Sequence, residues 1–158
     1  MLLRDEEDED DIKRDLILDQ YLPYRMAVIA HMMSEGFAKR YSTEYNMTIV
    51  EWRVMANLGH LEPQSAHEIG AHSHLDKVQV SRAVARLEKK GWVQREGDTV
   101  DRRRSLLTLT EEGRRVFNTL GKHAIDFEDD VCASLTTEEY AALDRILKKL
   151  SKRSEALS

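Results

Sequence analysis

Apolar residues recur at intervals of three and four along most of the chain, a spacing that places side chains on one face of a helix. The pattern predicts a first helix that begins near Tyr21, tolerates Pro23 in its first turn and ends near Tyr45 and Asn46. Its apolar positions are Leu22, Met26, Ile29, Met33, Phe37 and Tyr41.

Capping sequences predict where the next two helices begin. The segments 48–51 and 65–68 each place a threonine or serine three residues ahead of a glutamate, a pairing that satisfies free backbone N–H groups at a helix N-terminus. The first of these helices is predicted to carry Trp52 and to end near Gly59. The second is predicted to be a shorter helix around Ile69.

A third short helix is predicted to begin at Asp76 and to end at Gly91. On a helical wheel, Val80, Val84 and Leu87 form its buried stripe. The opposite face and its flanks carry Val78, Gln79, Ser81, Arg82, Ala85, Arg86 and Lys89.

After this helix the apolar period changes to two, which is typical of strands. Residues 92–95 and 105–109 are predicted to pair as a hairpin joined by a loop at 97–104. Thr110 is predicted to cap a long helix, and a capping sequence at 136–139 is predicted to open a last one.

This order of elements predicts a mainly α fold. Two short helices, a third helix and a hairpin are the order of a winged helix-turn-helix, which we place at residues 47–110. The flanking segments, 16–46 and 111–154, are predicted to be helical. Because their apolar stripes need cover in water, we expect them to pack against each other and against a second copy as a dimerisation region.

Charge is segregated along the chain. The formal net charge is −5, and residues 1–15 alone hold eight acidic and three basic residues. This segment is expected to be a mobile acidic tail, since like charges repel one another. Residues 76–104 hold nine basic and five acidic residues, so the third short helix and the hairpin loop carry the positive balance that phosphate groups attract.

Several classes of function are disfavoured. No stretch approaches the roughly 20 apolar residues of a membrane span, and the acidic N-terminus is unlike an export signal, so a cytoplasmic protein is expected. The single cysteine, Cys132, cannot form an internal disulfide. Motifs of catalysis and phosphate cradling are missing, so neither an enzyme nor a cofactor is predicted. His67, His72 and His74 lack the spacing of a metal site, and no metal is predicted.

The outward face of the third short helix matches the chemistry of DNA. Arginine and glutamine fit guanine and adenine edges, and an exposed valine fits a thymine methyl group. Lysines are expected to contact phosphates, which position a protein without reading sequence. A solvated face that only keeps the protein soluble is the alternative. The predicted DNA contacts on this helix are Lys77, Val78, Gln79, Ser81, Arg82, Arg86 and Lys89.

The hairpin loop favours the DNA interpretation over a merely solvated loop. Three adjacent arginines, Arg102, Arg103 and Arg104, repel one another unless an anion accepts them. A narrow minor groove offers a strongly negative potential that attracts arginine. Asp101 can pair with Arg103 and fix its direction.

Four segments of the winged region form a specific combination: DKVQVSR at 76–82, LEKKGWV at 87–93, DRR at 101–103 and LLTLTEEG at 106–113. Together they resemble the MarR family of bacterial transcriptional regulators, over roughly residues 21–150. The resemblance implies an obligate homodimer whose two winged lobes bind a pseudo-palindromic site. The family's D-x-R wing motif falls on Asp101 and Arg103, with the arginine in the minor groove. Arg104 stands where the family usually has a small residue.

The resemblance also implies control by a small ligand. We interpret the chain as a homodimeric repressor of double-stranded DNA that is released by an effector, with an aromatic acid or its CoA thioester as the suggested class. Ligands in the family commonly occupy a crevice between the helical body and the winged lobe, which implies contacts from Tyr24, Arg25, His31 and Trp52. Two hypotheses stay open beside this one: a protein-binding winged-helix adaptor without an operator, and a metal- or redox-sensing regulator.

Overall fold

The computed structural model describes residues 16–97 and 105–158. The chain divides into two units, one ending at Glu35 and the other spanning Gly36–Ser158. The predicted acidic tail at residues 1–15 lies outside the described residues, as does most of the predicted hairpin loop.

The first helix, α1, spans Leu22–Ala38 and follows a 3-10 turn at Leu18–Gln20. The prediction that it continues to Tyr45 is wrong, because residues 39–44 form turns and residue 45 lies in a bend. In these turns the Tyr41 N–H donates to the Ala38 carbonyl at 3.1 Å, and the Tyr45 N–H donates to the Tyr41 carbonyl at 3.0 Å. Tyr41 is nevertheless buried, so the apolar spacing that suggested a longer helix is satisfied by turns.

Three helices of the winged region begin where their capping residues predicted. They are α2 at Ile49–His60, α3 at Ala66–Ser73 and α4 at Lys77–Lys89. The side chains of Thr48, Ser65 and Asp76 each accept a hydrogen bond from the backbone N–H three residues later, and the side chain at that later position answers the cap. The predicted starts of all three helices are therefore confirmed.

A small antiparallel sheet follows α4. Strands β2 (Val93–Gly97) and β3 (Ser105–Leu109) pair in the predicted hairpin, with Gly97 opposite Ser105. A short strand that sequence reasoning missed, β1 (Gln64–Ser65), pairs with the other edge of β3, so the strand order is β1-β3-β2. Two residues are too few to show an alternating apolar pattern, which is why β1 gave no signal.

The two C-terminal helices also begin at their predicted caps. Helix α5 spans Glu111–Cys132 after Thr110, and α6 spans Thr137–Glu155 after Thr136. Among the described residues, no helix is long and apolar enough to cross a lipid bilayer.

The core of the second unit forms where α2, α4, β3 and α5 meet. The stripe predicted for the third short helix is confirmed, since Val80, Val84 and Leu87 are buried, and Ala83 joins them. Burying this stripe leaves the opposite face of α4 in solvent. The other core residues of these four elements are Val54, Met55, Leu58, Leu107, Leu109, Val116 and Leu120.

Candidate nucleic-acid interface

The exposed face of α4 carries every residue predicted on this helix to contact DNA. Val78 is 57 % exposed although it is apolar, and it lies one turn before Arg82 on the same face. The exposed members of the set are Lys77, Val78, Gln79, Ser81, Arg82, Arg86 and Lys89. The face is therefore polar, basic and accessible, and Val78 is an exposed apolar residue on it.

Gln79 has two roles at the start of α4. Its amide oxygen accepts a hydrogen bond from the Asp76 N–H at 3.1 Å, while its own N–H donates to the Asp76 carboxylate at 2.8 Å. Because the oxygen is engaged in the cap, the NH2 group is the part of the Gln79 side chain that can donate to a ligand.

The two arginines of α4 differ in their surroundings. Arg86 places its Nε 3.1 Å from Oε1 of Glu51. Arg82 is exposed and forms no ion pair with the side chains that the structure describes. Arg82 is therefore the arginine of this helix whose guanidinium is presented to solvent without an acidic neighbour.

Glu51, which the sequence suggested only as a capping residue, is the centre of a buried ion cluster. Its side chain is fully buried, and one oxygen accepts a hydrogen bond from the Thr48 N–H at 2.7 Å. The other oxygen contacts both Arg86 and Lys90, with the Lys90 Nζ at 3.3 Å. The sequence gives no signal of this role. It shows an acidic residue at the start of α2 and basic residues at the end of α4, but only the packing of the two helices shows that they meet.

Lys90 is held from three sides. Besides Glu51, its Nζ donates to the Asn46 carbonyl at 2.6 Å and lies 5.0 Å from the centre of the Trp92 ring. A cation over an aromatic face gains further attraction from the ring quadrupole. The lysine is therefore part of the protein's internal structure.

A second ion pair connects α4 to the sheet. Arg95 of β2 donates through Nε to Glu88 Oε1 at 2.8 Å and through Nη2 to Glu88 Oε2 at 3.3 Å. This two-pronged contact is the geometry that arginine favours with a carboxylate. It fixes the start of the hairpin against the C-terminal half of α4.

The four predicted wing contacts, Asp101, Arg102, Arg103 and Arg104, lie outside the described residues. The described ends of the hairpin meet at the Gly97–Ser105 pair. The roles of these four residues stay predictions.

A groove of about 520 Å³ runs between α3 and α4. Its floor is apolar, with Leu75, Val80 and Val84, and its rim carries Lys77, Ser81 and Arg95.

The predicted ligand contacts are distributed over both units. Tyr24, Arg25 and His31 lie on α1 and are exposed. Trp52 lies on α2 and is half-buried among aromatic rings, with its ring centre 5.5 Å from that of Phe37 and 6.2 Å from that of Phe117. Its packing shows that Trp52 stabilises the second unit, and the ligand contacts of all four residues stay predictions.

Two of the three clustered histidines, His72 and His74, have structural roles at α3. His72 places Nδ1 3.1 Å from the side-chain oxygen of the buried Gln64. His74 ends α3 in the left-handed conformation, with φ 51°. Within the described ranges, no group of three or more histidine, cysteine or acidic side chains is placed to hold a metal ion. Cys132 is half-buried at the end of α5.

Comparisons with known proteins bear on this site directly. A sequence model of the MarR family matches residues 47–105, which include α2, α3, α4 and the start of β3. The HTH-type transcriptional regulator YwoH of Bacillus subtilis, described as uncharacterized, is 28% identical over 99 residues, which are 62% of this chain and 71% of YwoH. Residues 47–105 form a MarR-family domain. The family expected from the winged region is thereby confirmed.

Solved structures of MarR-family regulators share the fold. The MarR/EmrR family regulator from Acinetobacter sp. ADP1 is 25% identical, with a TM-score of 0.81 over 89% of this chain and 99% of the other. BpsR of Bordetella bronchiseptica is 19% identical, with a TM-score of 0.75 over 86% of this chain and 96% of the other; its DNA binding is described as regulated by 6-hydroxynicotinic acid. The relatives are transcriptional regulators rather than enzymes, and this MarR-family protein is a DNA-binding winged-helix regulator.

Proposed function

We propose that this MarR-family regulator is a repressor that binds a pseudo-palindromic operator as a homodimer and is released by a small aromatic ligand. The observation that carries the proposal is the basic, solvent-exposed face of α4, opposite a stripe buried in the core. A helix held this way by a winged helix-turn-helix enters a major groove. The protein would act in the cytoplasm.

The N-terminal half of α4 is the proposed reader of bases. Arg82 has the forked donor group that fits guanine, Val78 offers an apolar contact for a thymine methyl, and Gln79 retains its NH2 donor. Lys77 and Lys89 are the proposed phosphate contacts, because lysine acts as a point charge. Two copies of α4 would lie about 34 Å apart along the duplex, which is one helical turn.

The wing is proposed to reach the flanking minor groove. Arg103 is the residue we place in the groove, on the strength of the D-x-R motif. Asp101 would brace it, and Arg102 and Arg104 would contact the adjacent phosphates. Arginine is drawn into narrow minor grooves by their negative potential.

Homodimer formation is supported by apolar residues left exposed on the terminal helices. On α6, Tyr140, Leu143, Ile146 and Leu147 are 40–48 % exposed. Contiguous exposed apolar patches of this kind mark interaction surfaces in soluble proteins. We therefore propose that segments 16–46 and 111–154 form the dimerisation region and that residues 47–110 bind DNA.

An aromatic acid, or its CoA thioester, is the proposed effector. The support is chemical and comparative: α1 exposes Tyr24, Arg25 and His31, which can stack on a ring and pair with a carboxylate, and BpsR responds to an aromatic acid. Trp52 is the fourth proposed contact. Binding of the effector at this site would alter the affinity of the protein for its operator.

Salt-dependent binding to the gene's own upstream DNA tests the proposal. In fluorescence anisotropy titrations, the logarithm of the association constant should fall linearly with the logarithm of salt concentration, with a slope of about −0.9 per neutralised phosphate. A footprint should show two half-sites about one helical turn apart. Weak contact that does not depend on salt would instead support the protein-binding adaptor.

The effector is tested separately with a panel of aromatic acids and their CoA esters. A ligand should raise the melting temperature of the free protein by mass action and weaken its operator complex. A panel that shifts neither quantity would remove the aromatic class. Zinc and peroxide belong in the same panel, because release by either would support the metal- or redox-sensing alternative.

A further inference from the structure

The Glu51 cluster, which consists of Glu51, Arg86 and Lys90, connects α2 with α4, the helix proposed to contact DNA bases. Glu51 belongs to the first turn of α2, whereas Arg86 and Lys90 belong to the C-terminal end of α4. Both cations approach the same oxygen, Oε1 of Glu51, at 3.1 and 3.3 Å. The other oxygen accepts the Thr48 N–H, so both oxygens of this carboxylate have partners.

Burial makes this cluster a strong constraint on geometry. A buried carboxylate is costly unless it is paired and hydrogen-bonded, so α4 cannot move away from α2 without uncovering an uncompensated charge. Lys90 is only 19 % exposed, and it also donates to the Asn46 carbonyl. The end of α4 is thus tied both to α2 and to the segment that precedes it.

Arg86 both contacts Glu51 and is exposed to solvent. Its Nε is directed at Glu51, yet its side chain is 53 % exposed. A guanidinium has further N–H donors beyond Nε, so Arg86 could in principle touch a phosphate as well. Its contribution to DNA binding is either direct, through such a contact, or indirect, through the placement of α4.

We infer that Glu51 is a positioning residue for DNA recognition, which fixes the orientation of α4 in the major groove by holding Arg86 and Lys90. This inference rests on the proposed function. It moves Arg86 from the set of direct DNA contacts to the internal support of the readers Val78 and Arg82. Glu51 itself would never touch DNA, and its effect would pass entirely through α4.

The direction in which Glu51→Gln changes operator affinity distinguishes a positioning role from an effect of charge alone. Glu51→Gln removes a negative charge from the DNA-binding unit, which by charge alone would strengthen binding to phosphates. If the carboxylate positions α4, the same substitution weakens operator binding, while affinity for a non-specific duplex does not fall. Glutamine keeps an oxygen that can accept the Thr48 N–H, so the cap of α2 survives.

The experiment is a double-mutant cycle on the full chain, with Glu51→Gln, Arg86→Met and the two combined. Operator and non-specific affinities are measured by anisotropy at several salt concentrations. Each single variant should lose operator affinity by about tenfold. The double variant should lose no more affinity than the single variant that binds the operator more weakly, because the effects of substitutions at coupled residues are not additive. Arg86→Met should keep the salt slope of the wild type.

Lys89→Met is the matched control on the same helix. Lys89 is exposed and has no ion pair with the described residues. Its removal should therefore reduce the magnitude of the salt slope by about 0.9, the value for one phosphate contact. Arg86→Lys should recover most of the operator affinity, since a lysine can still pair with Glu51. Circular dichroism verifies that each variant is folded, and the Arg86 variants carry the test if Glu51→Gln does not fold.

Two outcomes overturn the inference. One is a fall of about 0.9 in the salt slope of Arg86→Met, with additive effects in the cycle, which would make Arg86 a direct phosphate contact. The other is operator affinity in Glu51→Gln that equals or exceeds the wild type. Failure of the proposed function looks different: the wild-type protein would then show no preference for its operator over the non-specific duplex, and the inference would fall with it.

Discussion

Arg82 and Arg86 lie one helical turn apart on α4, and what distinguishes them is the residue opposite each. Arg86 faces the buried Glu51 of α2, whereas Arg82 faces solvent. A helical wheel places both near the outward face, because it contains no information about the neighbouring helix. The exposure of the residues on the outward face of α4 could therefore be predicted from the sequence, but their internal partners could not.

Replacement of Arg82 by alanine should relax base preference. If its guanidinium pairs with a guanine, the loss amounts to about 1–3 kcal/mol of discrimination at one base-pair position. The measurement compares affinities for the operator and for single-base variants of it. Lys77→Ala is the control, since the loss of a phosphate contact weakens binding to all duplexes alike. A uniform loss in Arg82→Ala would contradict the assignment of a base contact.

Gly113 marks a residue-scale constraint at the base of the wing. A Cβ at this position would overlap the carbonyl oxygen of Trp92, which also accepts the Thr110 N–H at 3.0 Å. Because the obstacle is hydrogen-bonded backbone, Gly113→Ala should destabilise the fold by about 1–3 kcal/mol, the usual cost of overpacking. Denaturant unfolding measures it.

Gly121 on the same helix provides the opposite expectation. Apart from its chain neighbours and the backbone of its own helix, no atom of the described residues lies within 4 Å of the position that its Cβ would take. Gly121→Ala should therefore stabilise the protein by about 0.5–1 kcal/mol through helix propensity. Equal effects of the two substitutions would show that the close approach at Gly113 is not a constraint.

At the scale of elements, helix starts were predictable and some element ends were not. A cap is a local bond between residues three apart, so Thr48, Ser65 and Thr136 announce their helices in the sequence. The end of α1 depends instead on tertiary burial of Tyr41, which turns achieve as well as a helix would. Strand β1 exists because β3 offers it an edge, and no local signal encodes that pairing.

Contact between α5 and α6 has a titratable marker. The Tyr140 hydroxyl donates to Glu128 Oε1 at 2.9 Å. This hydrogen bond, together with the charge of Glu128, raises the pKa of Tyr140 above its ordinary value of 10.0. A raised folded-state pKa means that the folded protein holds this proton more tightly, so the contribution to stability is present below pH 10 and is lost as the pH rises through the folded pKa.

Glu128→Gln should therefore lower the pKa of Tyr140 towards its ordinary value. Tyrosinate absorbance in the near ultraviolet follows the titration, and the Tyr140→Phe variant identifies which component belongs to this residue. The alkaline loss of stability should also become shallower in Glu128→Gln. An unchanged tyrosine titration would mean that the α5–α6 hydrogen bond does not persist in solution.

For the whole molecule, the count of basic residues overstates the charge available to DNA. Among the six basic residues that the structure describes between positions 76 and 104, three contact acids within the protein: Arg86, Lys90 and Arg95. The salt slope of operator binding should therefore reflect fewer contacts than the sequence suggests. Segregation of charge along the sequence predicted the basic surface, but the packing determines how much of that charge faces outward.

The exposed face of α6 carries the prediction that concerns assembly. Ile146 is 48 % exposed among other apolar residues, and a dimer would bury it. Ile146→Asp should dissociate the dimer, because an unpaired charge in an apolar interface is costly. It should also weaken operator binding strongly, since a monomer contacts one half-site and loses the gain from linking two. Sedimentation velocity gives the mass, and anisotropy gives the affinity. Lys149→Asp, an exposed change on the same helix, should leave the mass unchanged. A dimer that persists in Ile146→Asp would place the interface elsewhere and would remove α6 from the dimerisation region.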